Sequence, residues 1–305
     1  MACEGTVMKQ KIFDLMPPAT LVALVLFWAN APKVWLGHPW LLPVVIFGVI
    51  ALVQLLEYFN ERHEDWRLNK TEFFTDIFYV ALNSTAISWA TRTLAEEPMM
   101  TLKRSLGIAT PWITTLPFVV QVLMVMTIWE IGQYWMHRLM HNNALLWSTH
   151  APHHHITQLN AMKGFVGNLI ELFLIGLGVV VLFDWDLAAM FAGFSCLTAT
   201  SIYAHANLRA NPPIWYSFVF TTIRHHSLHH TAISYEDTRC NYANAMIIMD
   251  RIFGTYREGE SEIVGQGDRR RLSIRQQWLF PLQPWLDRMK QERSPPPSIN
   301  GSGPL

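Results

Sequence analysis

Charged residues are scarce in this chain. They make up 15% of its 305 residues, whereas soluble domains carry about 25%. Hydrophobic residues account for 51%, so the composition predicts a membrane protein. Acidic and basic residues balance at 23 each, which gives no indication of the basic surface that binds nucleic acid.

Cysteine is also scarce. Cys3, Cys196 and Cys240 are far apart and form no CxxC pair, so they indicate neither a disulfide framework nor a cysteine-ligated zinc site. The sequence lacks a CxxCH haem motif, a CxxCxxC iron–sulfur run and a GxGxxG loop after a predicted strand. No redox domain is therefore expected within the chain, and no cleavable signal peptide is expected at its start.

Long apolar runs are abundant. A membrane-crossing helix needs about 20 apolar residues, because each residue adds ~1.5 Å and the hydrocarbon layer measures ~30 Å. Six stretches are candidates: 19–36, 41–59, 73–90, 114–136, 165–183 and 187–204. They predict an all-α, multi-pass bundle of about four to six spans. The alternative of four spans places 19–59 and 73–90 partly in the interface.

The loops between these stretches predict an orientation. Six spans place both termini on one side, and more lysines and arginines fall on that side than on the other. Positively charged loops favour the cytoplasm, so the terminal side is expected to be cytoplasmic, in a bacterial inner membrane or the endoplasmic reticulum. All the histidine clusters described next would then lie at the cytoplasmic face.

Histidine is concentrated in one part of the chain. Of 13 histidines, only His38 and His63 stand apart, and these are expected at the surface. In "HRLMH" (137–141) the two histidines are four residues apart, so a helix would place them on one face. "HAPHH" (150–154) and "HSLHH" (226–230) both have the spacing i, i+3, i+4, and Pro152 favours a helix start within the first of them.

These imidazoles indicate a site for two metal ions. Imidazole binds iron, zinc, copper and nickel, and eight or nine imidazoles exceed the needs of one ion. The residues alone leave the choice between iron and zinc open.

Four motifs resemble the fatty acid hydroxylase and sterol desaturase superfamily of integral-membrane di-iron enzymes. They are "HRLMHNNALLWSTHAPHHH" (137–155), "HAN" (205–207), "HSLHH" (226–230) and "NYANAMIIMDRIFGTY" (241–256). The resemblance covers about 115–260. It implies nine metal ligands, namely His137, His141, His150, His153, His154, His205, His226, His229 and His230.

The resemblance extends to residues around the ligands. It implies that Asn207 and Asn241 support the ligands or the packing and that Asp250 is structural. The sequence departs from the family pattern at His155, His225 and Ala243; the two histidines are expected to support the site or lie at the surface. Candidates for orienting the ligand rings are Glu130, Glu171, Asn207 and Asp237, although Glu130 and Glu171 could equally be packing contacts within apolar helices.

The activity that the resemblance implies is oxidation of an unactivated C–H bond in a lipid by two iron ions and O₂. Hydroxylation is the leading reading, and a sterol-type desaturase or methyl oxidase is the alternative. A histidine-rich metal transporter or zinc-binding membrane protein is the alternative of another class. A lipid substrate and a separate electron donor of the ferredoxin or cytochrome b5 type are implied, with no nucleic-acid partner.

Three regions are expected along the chain. Residues 1–110 would carry N-terminal membrane spans, 111–260 the catalytic domain, and 261–305 an interfacial segment with a disordered tail. The basic triplet Arg269, Arg270 and Arg271 is expected to contact anionic lipid headgroups or, as the alternative, an acidic electron donor.

Overall fold

The computed structural model describes residues 2–234, 236–266 and 269–285. Within these ranges the chain is helical and contains no β-strand, and the predicted all-α fold is confirmed. The α-helices are α1 (Ala2–Ala29), α2 (Lys33–Leu36), α3 (Leu41–Phe59), α4 (Lys70–Leu82), α5 (Ser88–Thr91), α6 (Glu97–Ser105), α7 (Phe118–Asn142), α8 (Ala144–His154), α9 (Leu169–Ile175), α10 (Leu187–His205), α11 (Ile214–Val219), α12 (Ile223–His229), α13 (Ile248–Phe253) and α14 (Ile274–Leu279).

Shorter elements link these helices. Single 3-10 turns lie at Glu64–Trp66, Pro111–Thr115, Lys163–Phe165, Val179–Leu182, Glu236–Thr238 and Phe280–Leu282. Isolated antiparallel bridges pair Glu61 with Leu208 and Thr231 with Val264. The predicted disordered tail, 294–305, lies outside the described residues. The division of the chain into three regions stays a prediction.

Helix α10 lies at the centre of the bundle. It packs against α1, α3, α7 and α12, and 67% of its apolar stretch is buried, against 22% for α3. A Cβ built on Gly193 would lie 2.5 Å from Val125 of α7, so glycine permits this close approach. Trp28 of α1 donates a hydrogen bond to Ser195 (2.9 Å). Small residues and interhelical hydrogen bonds are typical of helix packing within membranes.

In the part of the chain that the structure describes, three helical segments are long and apolar enough to cross a membrane: Met8–Ala29, Leu41–Phe59 and Leu187–His205. They correspond to the predicted spans 19–36, 41–59 and 187–204. The first segment begins earlier than predicted because α1 continues through Pro17 and Pro18, and it ends at Ala29. The predicted span 114–136 falls in α7, which begins after Pro117 and continues to Asn142. The number of crossings stays a prediction.

The predicted span 73–90 lies within a longer helical run. The backbone is helical without interruption from Lys70 to Ser105, with π turns at Asn83–Ile87 and Arg92–Glu96 between α4, α5 and α6. Asp76, which weakened the sequence signal, is fully buried and faces Lys163. Asn83 likewise bonds the Phe165 carbonyl outside its own helix.

The prediction of one membrane-crossing helix over 165–183 is wrong. Helix α9 covers only Leu169–Ile175, and a separate 3-10 turn follows at Val179–Leu182. Asn168 and Glu171 form a capping box that starts α9. Near the other end, a Cβ on Gly178 would lie 2.0 Å from the Trp129 ring. The apolar run therefore bends against α7, as hydropathy alone cannot indicate.

Candidate metal centre

Nine buried histidines form two adjoining groups. Within each group the possible ligand atoms all lie within 4.8 Å of one another. The groups touch, because the rings of His154 and His230 stack with centroids 4.5 Å apart. The first group is His137, His141, His150, His154 and His229, and the second is His153, His205, His226 and His230. These are the nine histidines that the resemblance implies as ligands; metal binding by them stays a prediction.

Helical spacing brings these side chains together. His137 and His141 occupy successive turns at the end of α7, and His205 is the last residue of α10. The first triplet, His150, His153 and His154, lies at the end of α8. The second triplet has His226 and His229 in the last turn of α12 and His230 directly after it. The expected helix start near Pro152 is wrong. Helix α8 begins at Ala144, capped by the Asn143 side chain, and includes Pro152 in its last turn.

The Nε2 atoms of the first group converge on a common point. His150 Nε2 lies 2.9 Å from that of His137, 3.1 Å from that of His141 and 3.0 Å from that of His154. His229 Nε2 lies 3.0 Å from that of His137. In the second group, His226 Nε2 lies 2.9 Å from that of His205 and 3.1 Å from that of His230.

These separations fit the donor set of a metal with more than four ligands. For a metal–nitrogen bond of about 2.0–2.1 Å, neighbouring ligands are about 2.9 Å apart at a right angle and about 3.4 Å apart in a tetrahedron. The measured values of 2.9–3.1 Å match the right angle.

The protonation of the His137 and His229 rings also favours a cation between their Nε2 atoms. His137 Nδ1 faces the Tyr242 carbonyl oxygen at 2.6 Å, and His229 Nδ1 faces the Cys240 carbonyl oxygen at 2.7 Å. A carbonyl only accepts, so each Nδ1 carries the single proton of a neutral imidazole and each Nε2 presents a lone pair. These two lone pairs point at each other across 3.0 Å. A positive ion between them would relieve their repulsion.

Burial keeps these imidazoles neutral. Loss of solvation lowers the pKa of His150 to about 3 and holds the pKa values of His154, His226, His229 and His230 well below the usual range, with the neighbouring histidines adding to the effect in these four. At neutral pH all five rings are therefore in the form that ligates metals.

Glu171 contacts the first group directly. Its Oε1 accepts a hydrogen bond from His150 Nδ1 at 2.6 Å, and both side chains are at most 2% exposed. Its other oxygen accepts from the Asn168 backbone N–H. A carboxylate in this position fixes the ring and makes the opposite nitrogen a stronger donor.

Asp250 acts one step further out. It accepts hydrogen bonds from the backbone N–H groups of Tyr242 and Ala243, both at 2.8 Å, and from the Thr255 hydroxyl. The Tyr242 carbonyl is the acceptor for His137, so Asp250 positions the loop that orients this ring. This position agrees with the structural role expected for Asp250.

The other residues expected to orient the rings contact no ligand ring. Glu130 accepts hydrogen bonds from the backbone N–H groups of Ala245 and Met246. Asn207 bonds the backbone of His63 through both side-chain atoms. Asn241 supports the packing: its side chain bonds the backbones of His225 and Arg257.

Asp237 and four further histidines lie outside both groups. Asp237 is exposed and pairs with Arg257. His155 Nδ1 donates to the carbonyl of Ala151 at the end of its own helix, and His225 Nδ1 lies 3.3 Å from the Thr222 hydroxyl. His63 pairs with Glu260, and His38 contacts the backbone of Trp40.

A cavity of about 450 Å³ adjoins both histidine groups. Its lining includes His150 of the first group and His153 and His205 of the second. Other parts of the lining are apolar, such as Trp129 and Phe194. A molecule in this cavity would lie next to both candidate metal positions.

A buried ionic cluster beside the centre was not anticipated from the sequence. Lys163 is 1% exposed and pairs with Glu72 and, at 2.7 Å, with Asp76. Arg271 completes the cluster by pairing with Glu72. Acidic residues in an apolar run were the available signal, but their partners lie 87 or more positions away in the chain.

This cluster includes one member of the basic triplet, Arg271. The Arg271 guanidinium is bound to Glu72 and to Thr75 (2.7 Å), and Arg269 donates to the Val264 carbonyl. Arg271 thus ties the C-terminal segment to α4, whereas the Arg269 contact lies within that segment. Contact of the triplet with lipid headgroups or an electron donor stays a prediction.

Comparison with known proteins gives a family for this part of the chain. Residues 122–255 match the family described as fatty acid hydroxylase. The chain is 27% identical over 226 residues to the ornithine lipid hydroxylase OlsE of Rhizobium tropici, covering 70% of this chain and 66% of the relative.

More distant relatives share a shorter segment. Alkylglycerol monooxygenase from Xenopus tropicalis is 27% identical over 42% of this chain and 28% of its own length. The human enzyme is 28% identical over 45% of this chain and 31% of its own length. The chain thus spans 66% of the ornithine lipid hydroxylase and less than a third of these two monooxygenases. No solved structure matches the chain.

The matched segment runs from α7 to the loop after α13 and contains all nine histidines of the two groups. Through residues 122–255, the chain is similar to the fatty acid hydroxylase family.

Proposed function

We propose that the protein is a membrane-bound lipid hydroxylase that uses two iron ions and O₂ to oxidise an unactivated C–H bond. The convergence of nine buried imidazoles in two groups beside a cavity carries the proposal. Relatives named as an ornithine lipid hydroxylase and an alkylglycerol monooxygenase support a lipid as the substrate.

Each histidine group would hold one ion. The Nε2 separations near 3.0 Å favour iron over a four-coordinate structural zinc. When bound, iron supplies the activation of O₂ that removal of hydrogen from such a C–H bond requires.

The chain's own residues orient the histidine rings, shield them from water and would bind the lipid. The carbonyls of Tyr242 and Cys240 and the carboxylate of Glu171 hold the rings of His137, His229 and His150 with Nε2 facing inward. Burial of all nine rings keeps bulk water away. The apolar part of the cavity would place a lipid carbon beside both groups.

Electrons would come from a separate protein. Converting a C–H bond and O₂ into an alcohol and water consumes two electrons and two protons beyond those of the substrate. The sequence carries no haem, iron–sulfur or nucleotide-binding motif. A ferredoxin or cytochrome b5-type donor is therefore proposed, with the histidine groups at the cytoplasmic face.

The proposal is tested by lipid mass spectrometry on cells with and without the gene, paired with metal analysis of the purified protein. We expect two irons per chain and a lipid that gains one oxygen. Loss of two hydrogens instead would identify a desaturase. Bound zinc without O₂ consumption would contradict the proposal.

A second test concerns the donor. Purified protein with iron, O₂ and lipid should complete at most one turnover per chain, and a ferredoxin or cytochrome b5 with its reductase should restore repeated turnover. Sustained turnover with NAD(P)H alone would contradict the need for a separate donor.

A further inference from the structure

The polar wall of the cavity is formed by the helical run that contains the two π turns. The lining residues along this run are Asn83, Ile87, Ser88, Thr91, Arg92 and Glu96. Along the helix they form four successive levels, at 83, 87–88, 91–92 and 96, which are four or five residues apart. In a π turn, residues five apart are hydrogen-bonded neighbours on one face, whereas a regular α-helix would rotate such a series away. The two π turns thus keep one face of the run directed at the cavity.

Thr91 presents an unused hydroxyl on this wall. Its side chain is 5% exposed, and Oγ1 makes no hydrogen bond with any of the residues that the structure describes. A Cβ built on Gly176 would lie 3.0 Å from this oxygen, so the glycine leaves the hydroxyl room. Buried hydroxyls nearly always have a partner, and a bound molecule would supply one.

Glu96 presents an unused carboxylate on the same wall, five residues further along. It is half-buried and has neither a hydrogen bond nor an ion pair within the described part of the chain. Neighbouring Arg92 is largely exposed and bonds Glu97 at 3.0 Å instead. Partial burial of a carboxylate is unfavourable. Arg92 attracts the Glu96 carboxylate without forming an ion pair with it, and a cationic group on a ligand in direct contact would offset the remaining cost.

We propose that Thr91 and Glu96 form a subsite for an amine-bearing headgroup of the lipid substrate. The ammonium would donate to the Glu96 carboxylate and to Thr91 Oγ1. His150, His153 and His205 line the same cavity, so a carbon near the headgroup would be presented to the metal centre. This inference rests on the proposed function and specifies its substrate class.

The test is calorimetric binding to the purified full-length protein in detergent. Two lipids with identical acyl chains are compared, one with a primary amine headgroup and the other with that amine N-acetylated. We expect the amine lipid to bind at least about tenfold more tightly, the size of one charge-assisted hydrogen bond. If the wild-type protein binds both lipids equally, that result alone overturns the proposal.

Variants locate the subsite. Glu96→Gln should remove the preference for the amine lipid and leave binding of the N-acetylated lipid unchanged, and Thr91→Val should weaken the preference less. Matched controls are Glu64→Gln, an exposed carboxylate outside the cavity lining, and Thr85→Val, whose hydroxyl bonds Ala81 within its own helix. A preference that survives Glu96→Gln would overturn the assignment.

The two proposals fail differently. If the protein prefers the amine lipid but yields no oxidised product with iron, O₂ and donor, the hydroxylase proposal fails and the subsite stands. If it hydroxylates lipids without regard to the amine, the subsite fails and the hydroxylase stands.

Discussion

The two histidine groups differ in what surrounds their rings. In the first, His150 bonds a buried carboxylate, and His137 and His229 bond carbonyls. In the second, His153 and His205 bond the carbonyls of Val166 and Ser201, and no carboxylate of the described residues reaches a ring. Nδ1 of His226 and His230 has no partner there. The first group has five rings and a carboxyl group that accepts from one of them, so it should hold a metal ion more tightly.

Removing one ring from either group should have the largest effect. His150→Ala and His226→Ala should each reduce lipid oxidation by at least about 100-fold and leave about one iron per chain, because each removes a central donor from one group. Inductively coupled plasma mass spectrometry of the purified protein gives the metal content. His38→Ala and His63→Ala are the controls and should match the wild type. Two irons retained in both ligand variants would contradict the assignment of one ion to each group.

Breaking the buried ionic cluster should come next. Lys163→Met leaves Asp76 buried without its cation, which typically costs about 3–5 kcal/mol. The melting temperature in detergent should fall. The second group should lose its metal first, because residue 163 lies in the loop whose Val166 carbonyl holds His153. Adding Asp76→Asn should recover part of the stability. An unchanged melting temperature would show that the cluster contributes little.

Neutralising Glu171 should have an intermediate effect confined to the first group. Glu171→Gln keeps the shape but replaces the carboxyl group that accepts from His150 with a weaker amide acceptor, and loss of such a partner costs about 10–100-fold in metal affinity. Iron retention against a graded chelator measures it. Asp237→Asn is the matched control, because the Asp237 carboxylate contacts Arg257 and Ser234 and lies outside both histidine groups. Equal iron retention by the two variants would rule out the role of Glu171.

Alanine substitutions at two glycines, one beside each histidine group, should have the smallest effects. A Cβ on Gly164 would lie 3.1 Å from His205 Cε1 and Nδ1, so Gly164→Ala should displace that ring by a few tenths of an ångström. Activity should then fall less than about tenfold, since a full ångström costs about 100-fold. A Cβ on Gly167 would lie 2.3 Å from Glu171 Oε2, so Gly167→Ala should reproduce the metal loss of Glu171→Gln. A larger loss of activity in Gly164→Ala than in Gly167→Ala would contradict this order of effects.

The histidines of the site were predictable because their spacing is local. Imidazoles at i, i+3 and i+4 share a helical face wherever that helix lies, and α8 and α12 have the same triplet. The prediction failed at Pro152, because the Asn143 side chain sets the start of α8 and the helix continues through the proline. Hydropathy found α3 and α10 but misread 165–183, because an apolar run has the same composition whether it crosses a membrane or folds against α7.

The sequence by itself determined the helical class and which imidazoles face together, since both follow from periodicities within one helix. Tertiary structure alone decided how nine histidines divide into groups of five and four, which group receives Glu171, and that Lys163 meets Asp76 across 87 residues. It also decided that the wall carrying Thr91 and Glu96 faces the cavity. These pairings join helices that are distant in the chain, and they depend on packing distances of a few ångströms that no local pattern encodes.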